Sequence, residues 1–177
     1  RELREDLWNR FKQASSIINK KHQAYFDELH AKENENLEKK QALIEQLKSI
    51  DSKAFKSNKQ WDEATETVQK IQQEWRTIGF APKKQNQTVY EEYRQLCDAF
   101  FKAKTAFYKG MRDEFSENLK KKRDLLEAAE ALKDSIEWTE TTNKLIELQQ
   151  QWKKVGPVAR KYSDDLWKKF TAACDAF

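Results

Sequence analysis

The chain has 177 residues, with 34 Lys and Arg against 30 Asp and Glu for a net charge of +4, and it is 38% apolar and 36% charged. That length holds one ordinary domain or two small ones, and only three Gly and two Pro leave too little turn chemistry for a sheet, so an all-α chain is predicted. No apolar run reaches the roughly 18–20 residues that span a bilayer, and no secretory segment is visible, so the expectation is a cytoplasmic protein with no membrane partner.

In chain order, the pattern from about Asp6 to Ile50 has neither Pro nor Gly and predicts one continuous helix, about 70 Å long at ~1.5 Å per residue. A break is expected between Ile50 and Asn58. Next, Trp61, Ala64, Val68, Ile71, Trp75 and Ile78 recur at steps of three and four, the apolar stripe of an amphipathic helix. Asn58 stands ahead of it as an N-cap. Gly79 follows it, where a left-handed cap would need no Cβ, and Pro82 prevents continuation.

A third helix is expected after Asn86, with Thr88 and Glu91 as an alternative capping box, running to about Ser135. Gly110 inside it is tolerable at a cost of ~1 kcal/mol relative to Ala. The stripe Trp138, Thr141, Leu145, Leu148, Trp152 and Val155 forms a fourth helix, capped by Ser135 and closed by Gly156 and Pro157. The fifth starts near Ser163, where Asp164 and Asp165 suit the positive end of a helix dipole.

The chain repeats itself. "QWDEATETVQKIQQEWRTIGFAPKK" (Gln60 to Lys84) aligns without gaps on "EWTETTNKLIELQQQWKKVGPVARK" (Glu137 to Lys161) at a shift of 77, pairing Trp61 with Trp138, Trp75 with Trp152 and Gly79 with Gly156. Upstream the shift is 82, pairing Glu35-Asn36-Leu37 with Glu117-Asn118-Leu119, so the first copy has five extra residues near Ser52 to Lys56. "LWNRFKQASSI" (Leu7 to Ile17) matches the tail of a further copy, with Trp8 on Tyr90 and Trp167, and Phe11 on Tyr93 and Phe170. All six Trp occupy three repeat positions, read as core positions.

The pattern predicts two tandem three-helix bundles joined through long continuous helices in a spectrin-like arrangement. Residues 1–33 are the last helix of a preceding repeat, 34–104 the first full repeat, 105–114 a helical linker, and 115–177 a second repeat. The last copy stops at Phe177, where the first continues "FKAKTAFYKGM", so further repeats of the same parent chain are expected.

"ENLKKKRDLLEAAEAL", "LQQQWKKVGPVARKYSDDLWKKF" and "ACDAF" resemble the bacterial "domain of unknown function 349" family, which occurs in tandem copies. The resemblance covers nearly the whole chain. It implies a helical tandem repeat; it implies no reaction, and no catalytic residue carries over. The turns depart from one pattern, with Phe80 against Pro157 and Pro82 against Ala159.

No His lies near a Ser, Cys or Asp in a nucleophilic arrangement, and no phosphate loop or His-Glu-x-x-His set is present, so no enzyme activity, catalytic residue or cofactor is expected. Cys97 and Cys174 have no ligand partner in sequence, and His22 and His30 are isolated; Cys97 and Cys174 read as small buried residues.

The charge excess is local. Trp75 to Lys84 carries +3 through Arg76, Lys83 and Lys84; Trp152 to Phe170 carries six positives, Lys153, Lys154, Arg160, Lys161, Lys168 and Lys169, against Asp164 and Asp165. These nine cations form the candidate binding surface, suited to phosphate or an acidic protein. The run Lys120-Lys121-Lys122-Arg123 reads as solvated helix charge. Two functions follow: a non-enzymatic scaffold or spacer for unidentified protein partners, or an RNA- or ribosome-associated module using the basic turns.

Overall fold

A computed structural model describes residues 2–177. Among them there is no strand, and the elements are α1 (Glu2–Lys48), a short 3-10 turn (Ser52–Ala54), α2 (Asn58–Thr77), α3 (Lys83–Leu132), α4 (Trp138–Lys154) and α5 (Arg160–Asp175). The chain divides into two compact units, Arg1–Lys104 and Thr105–Phe177. The breaks lie where Gly, Pro and Ser were expected to punctuate the chain. α3 remains helical through Gly110.

In the first unit the core is made by three helical segments. α2 buries Trp61, Ala64, Val68, Ile71 and Trp75, facing Leu43, Ile44 and Leu47 of α1 and Val89, Cys97 and Phe100 of α3. Each large apolar side chain so buried contributes on the order of 1.5–3 kcal/mol. Trp75 stacks on Tyr93 at 4.0 Å between centroids and 6° between planes. One ion pair, Lys48 Nζ to Glu92 at 2.6 Å, links α1 to α3.

The second unit repeats the plan. Ala129 of α3, Leu145 and Trp152 of α4, and Val158, Leu166, Phe170 and Ala173 form its core. Trp152 stacks on Phe170 at 4.2 Å and 11°.

Several local expectations are corrected. α2 is capped by Ser57 rather than Asn58: Gln60 Oε1 accepts from the Ser57 N–H while Ser57 Oγ accepts from the Gln60 N–H, a reciprocal capping box. Ser135 is not the cap of α4, which starts a turn later; its Oγ instead accepts from the Glu137 N–H and meets the buried Thr141 hydroxyl at 2.7 Å. α3 begins directly after Pro82, whose carbonyl accepts from Gln85 and Asn86. Asn86 and the Thr88–Glu91 pair therefore lie inside the helix. Likewise α5 begins at Arg160 with Ala159 as its N-cap, so Ser163, Asp164 and Asp165 lie past its start, and Asp165 pairs with Lys169 at 3.0 Å.

Not all Trp positions are core. Trp61, Trp75 and Trp152 are buried, whereas Trp8, Trp138 and Trp167 are exposed. The inserted residues explain one contrast, because Phe55 packs edge-on against Trp61 at 5.0 Å and Phe100 covers it at 5.6 Å. Trp138 meets Phe177 at 5.4 Å, and the shorter connector before it brings no counterpart of Phe55.

The glycine reading also changes. No described residue has positive φ, and Ile78 and Val155, which end α2 and α4, are both extended. What Gly79 and Gly156 supply is room: a Cβ would lie 2.9 Å from Asn36 Nδ2 at Gly79 and 2.8 Å from Asn118 Nδ2 at Gly156. Those amides donate to the carbonyls of Phe80 at 3.0 Å and Pro157 at 2.9 Å.

The glycines should therefore separate by sign in urea denaturation. Gly110→Ala, whose Cβ meets nothing within 4 Å, is expected to stabilise by up to ~1 kcal/mol. Gly156→Ala should destabilise by ~1–3 kcal/mol, because the buried Asn118 loses its acceptor. Asn118→Ala added to Gly156→Ala should then cost less than it does alone; strictly additive losses would show that the amide contact is not what Gly156 protects.

Candidate functional site

Three of the nine predicted cations lie in the first unit and six in the second, and all are exposed. Arg76 lies in the last turn of α2 and Lys153 and Lys154 in the last turn of α4, where the negative end of the helix dipole favours them. Lys83 and Lys84 open α3 and Arg160 and Lys161 open α5. There the dipole opposes a positive charge by ~0.3–1 kcal/mol at low salt. Neither first turn contains an acidic residue. Of the nine, Lys169 forms an ion pair, to Asp165.

The structure brings some of these residues together with aromatics. Lys153 and Trp167 line one depression with Gln149, Phe170 and Thr171. Lys161 Nζ lies 4.8 Å from the Tyr162 ring centroid, and Arg123, reaching from α3, lies 5.4 Å from the same ring. In the first unit the turn carries Phe80, which is 79% exposed, and Tyr90 is partly exposed beside it.

Two lysines that pack over core indoles were not among the sequence candidates. Lys40 Nζ sits 5.1 Å over the Trp75 ring, and Lys122 Nζ sits 5.1 Å over the Trp152 ring. Lys40 and Lys122 are related by the same shift of 82 that relates Asn36 to Asn118. That equivalence was the available signal: a run of four basic residues hid one lysine that faces inward. Lys122 is thus half-buried against a ring, unlike Lys120, Lys121 and Arg123 of the same run, which are exposed as solvated helix charge should be.

Lys40 is also buried. Its ammonium donates to Asn86 Oδ1 at 3.2 Å, which also accepts from the Ala81 N–H. Asn86 thus braces the start of α3 from within the helix. Desolvation lowers the Lys40 pKa from its ordinary value.

Cys97 is buried and Cys174 half-buried, and both are free thiols. Burial pushes the Cys97 thiol up, away from nucleophilic character. Among the described residues no group of three or more His, Cys, Asp and Glu could hold a metal ion, and no helix is long and apolar enough to cross a membrane.

A family model described as Domain of Unknown Function (DUF349) matches residues 6–84 and again residues 88–161. The chain belongs to that family. Its two matched segments start 82 residues apart, the shift that relates the two Asn and the two Lys. No curated protein and no solved structure matches the chain.

The stacked ring of Tyr93 should report on this packing. Burial, with Cys97 next, raises its pKa to about 12, above an ordinary value near ~10. The folded chain therefore holds the phenol proton more tightly than the unfolded chain. Its contribution to stability is complete below pH ~10 and is lost as pH rises through about 12. Tyr93→Phe, which copies Phe170 of the second unit, should flatten that alkaline loss while retaining the stack. An unchanged alkaline denaturation profile would show that Tyr93 titrates as an exposed phenol.

Proposed function

We propose that this chain is a non-enzymatic helical repeat module, a scaffold or spacer whose units stack in a spectrin-like array and offer their outer helix faces to protein partners in the cytoplasm. One observation carries this reading. The same contacts, Asn to turn carbonyl, Lys over Trp, and Trp on a second ring, recur in both units at constant sequence shifts. They use the conserved-in-repeat positions for internal packing and leave the outer faces free to differ, which is how repeat arrays present extended surfaces. The repeated element is architecture.

A second reading has its own support. Lys83, Lys84, Arg160 and Lys161 sit where the helix dipole disfavours them, so helix stability does not account for their charge. With Trp167 exposed beside Lys168, the second unit combines cations with a ring able to stack, as single-stranded RNA binders do.

Crosslinked capture of partners with and without ribonuclease separates the two. The scaffold reading expects the partners to be retained after digestion; their loss would overturn it in favour of RNA. Replacing Lys153, Lys154, Arg160 and Lys161 with Gln should leave thermal unfolding nearly unchanged, since exposed charges contribute at most ~0.5 kcal/mol each. If the turns bind RNA, the same variant should weaken binding and flatten its salt dependence.

A further inference from the structure

The N-terminal half of α1 carries a stripe that matches the closing helix of each unit. "DLWNRFKQA" (Asp6 to Ala14) lies on "DLWKKFTAA" (Asp165 to Ala173) at a shift of 159, and Ile18 lies on Phe100 at a shift of 82. The equivalent residues are core where they have partners. Leu166 is 6% exposed and Phe170 2%, while Leu7 is 55% exposed and Phe11 63%. Phe100 is 7% exposed against 65% for Ile18.

What covers this stripe elsewhere is a defined object. In the second unit it is a helical hairpin, the end of α3 followed by α4. Its two arms run antiparallel, since Asn118 meets Pro157 and Lys122 meets Trp152. The hairpin presents Trp152 to Phe170 and Leu145 to the same core. In the first unit the corresponding parts of α1 and α2 cover Val89, Tyr93 and Phe100 of α3. The second family match opens at residue 88 with this covered stripe. The first match opens at residue 6 with the uncovered one.

Charge does not oppose the fit. In the first unit Lys48 pairs with Glu92. In the second, Lys169 pairs with Asp165 of its own helix, and Arg10 and Asp6 hold the same two positions at the shift of 159, so an acid within α1 stands four residues from Arg10.

We propose that the face formed by Leu7, Phe11, Ala14 and Ile18 closes a helical hairpin of the same family that lies ahead of it in the polypeptide, with a Trp stacked on Phe11. The proposal extends the array reading above but stands on α1 itself. It adds a binding face and the kind of partner that occupies it.

The test supplies that hairpin in register. Arg1 stands 159 residues before Arg160, so residues 105–159 joined directly ahead of Arg1 place a copy of the hairpin as α3 and α4 stand to α5. Amide exchange over residues 5–19 should slow at least tenfold in the extended chain relative to the original. Phe11→Asp should abolish that protection and lower the melting temperature of the appended hairpin, while leaving unfolding of the original chain unchanged, because Phe11 there is exposed. Equal effects of Phe11→Asp in both chains, or no slowing in the extended one, would overturn the proposal. So would concentration-dependent self-association of the original chain that Phe11→Asp removes, since the occupant would then be a second copy. Any of these failures leaves ribonuclease-resistant capture of partners, the test of the scaffold reading, free to come out either way.

Discussion

Each unit is organised around one tryptophan that meets both a lysine and a second ring. Trp75 has the Lys40 ammonium over its ring and is stacked on Tyr93; Trp152 has Lys122 and Phe170. A cation over an indole contributes ~0.5–2 kcal/mol depending on desolvation, and an aromatic pair ~0.5–1.5 kcal/mol beyond its buried area. Those energies are modest, but the geometry joins three helical segments at a single ring. A chain with 36% charged residues has few large apolar groups to spend per unit, so concentrating contacts on one indole is the economical way to fix three helices. The same scarcity makes a lysine useful in the core, because its apolar stem packs while its charged end meets the ring.

Near the Trp, the asparagine contact sets where the next helix begins. Asn36 and Asn118 reach the carbonyls of Phe80 and Pro157, just past the ends of α2 and α4, and glycine is required beside them because the amide occupies the space of a Cβ. The chain then re-enters helix at Lys83 and Arg160 with a basic pair at each start. A basic pair at the positive end of a helix opposes the dipole, so the fold fixes the position of those charges without gaining from their sign. That is the physical reason to look outside the fold for their role.

Much of this architecture was legible in the residues. Helix breaks could be placed from three glycines and two prolines, and the stripe from Trp61 to Trp75 gave its buried face directly, because helical periodicity is a local property. The caps were less legible: Ser57 outcompetes Asn58 only because Gln60 completes a reciprocal box, and Asn86 looked like a cap while it serves as an acceptor for Lys40 and Ala81 from within the helix. Trp138 misled because the connectors differ: Phe55 on the inserted segment helps cover Trp61. Trp8 and Trp167 misled for another reason, since their shared position, which Tyr90 fills in the first unit, is exposed in all three copies. Seven of the nine candidate cations flank the turns, while Lys168 and Lys169 lie more than two turns into α5; which lysines face inward, Lys40 and Lys122, depends on long-range packing against an indole that no local pattern encodes.

The two turns differ in sequence yet close alike, and the reason lies in what the asparagine recognises. Phe80 and Pro157 have dissimilar side chains, but the contact is to their backbone carbonyls. Pro82 and Ala159 differ too; the Pro82 carbonyl takes the Gln85 N–H and the Ala159 carbonyl takes the Tyr162 N–H, both at 2.9 Å. A backbone-directed clamp constrains only the asparagine and the glycine that makes room for it. Substitution at the remaining turn positions then changes what the surface shows, an exposed Phe80 in one unit and Tyr162 between Arg123 and Lys161 in the other, without moving the helix that follows. A repeat built this way can diversify its turns for different partners while keeping one register of packing.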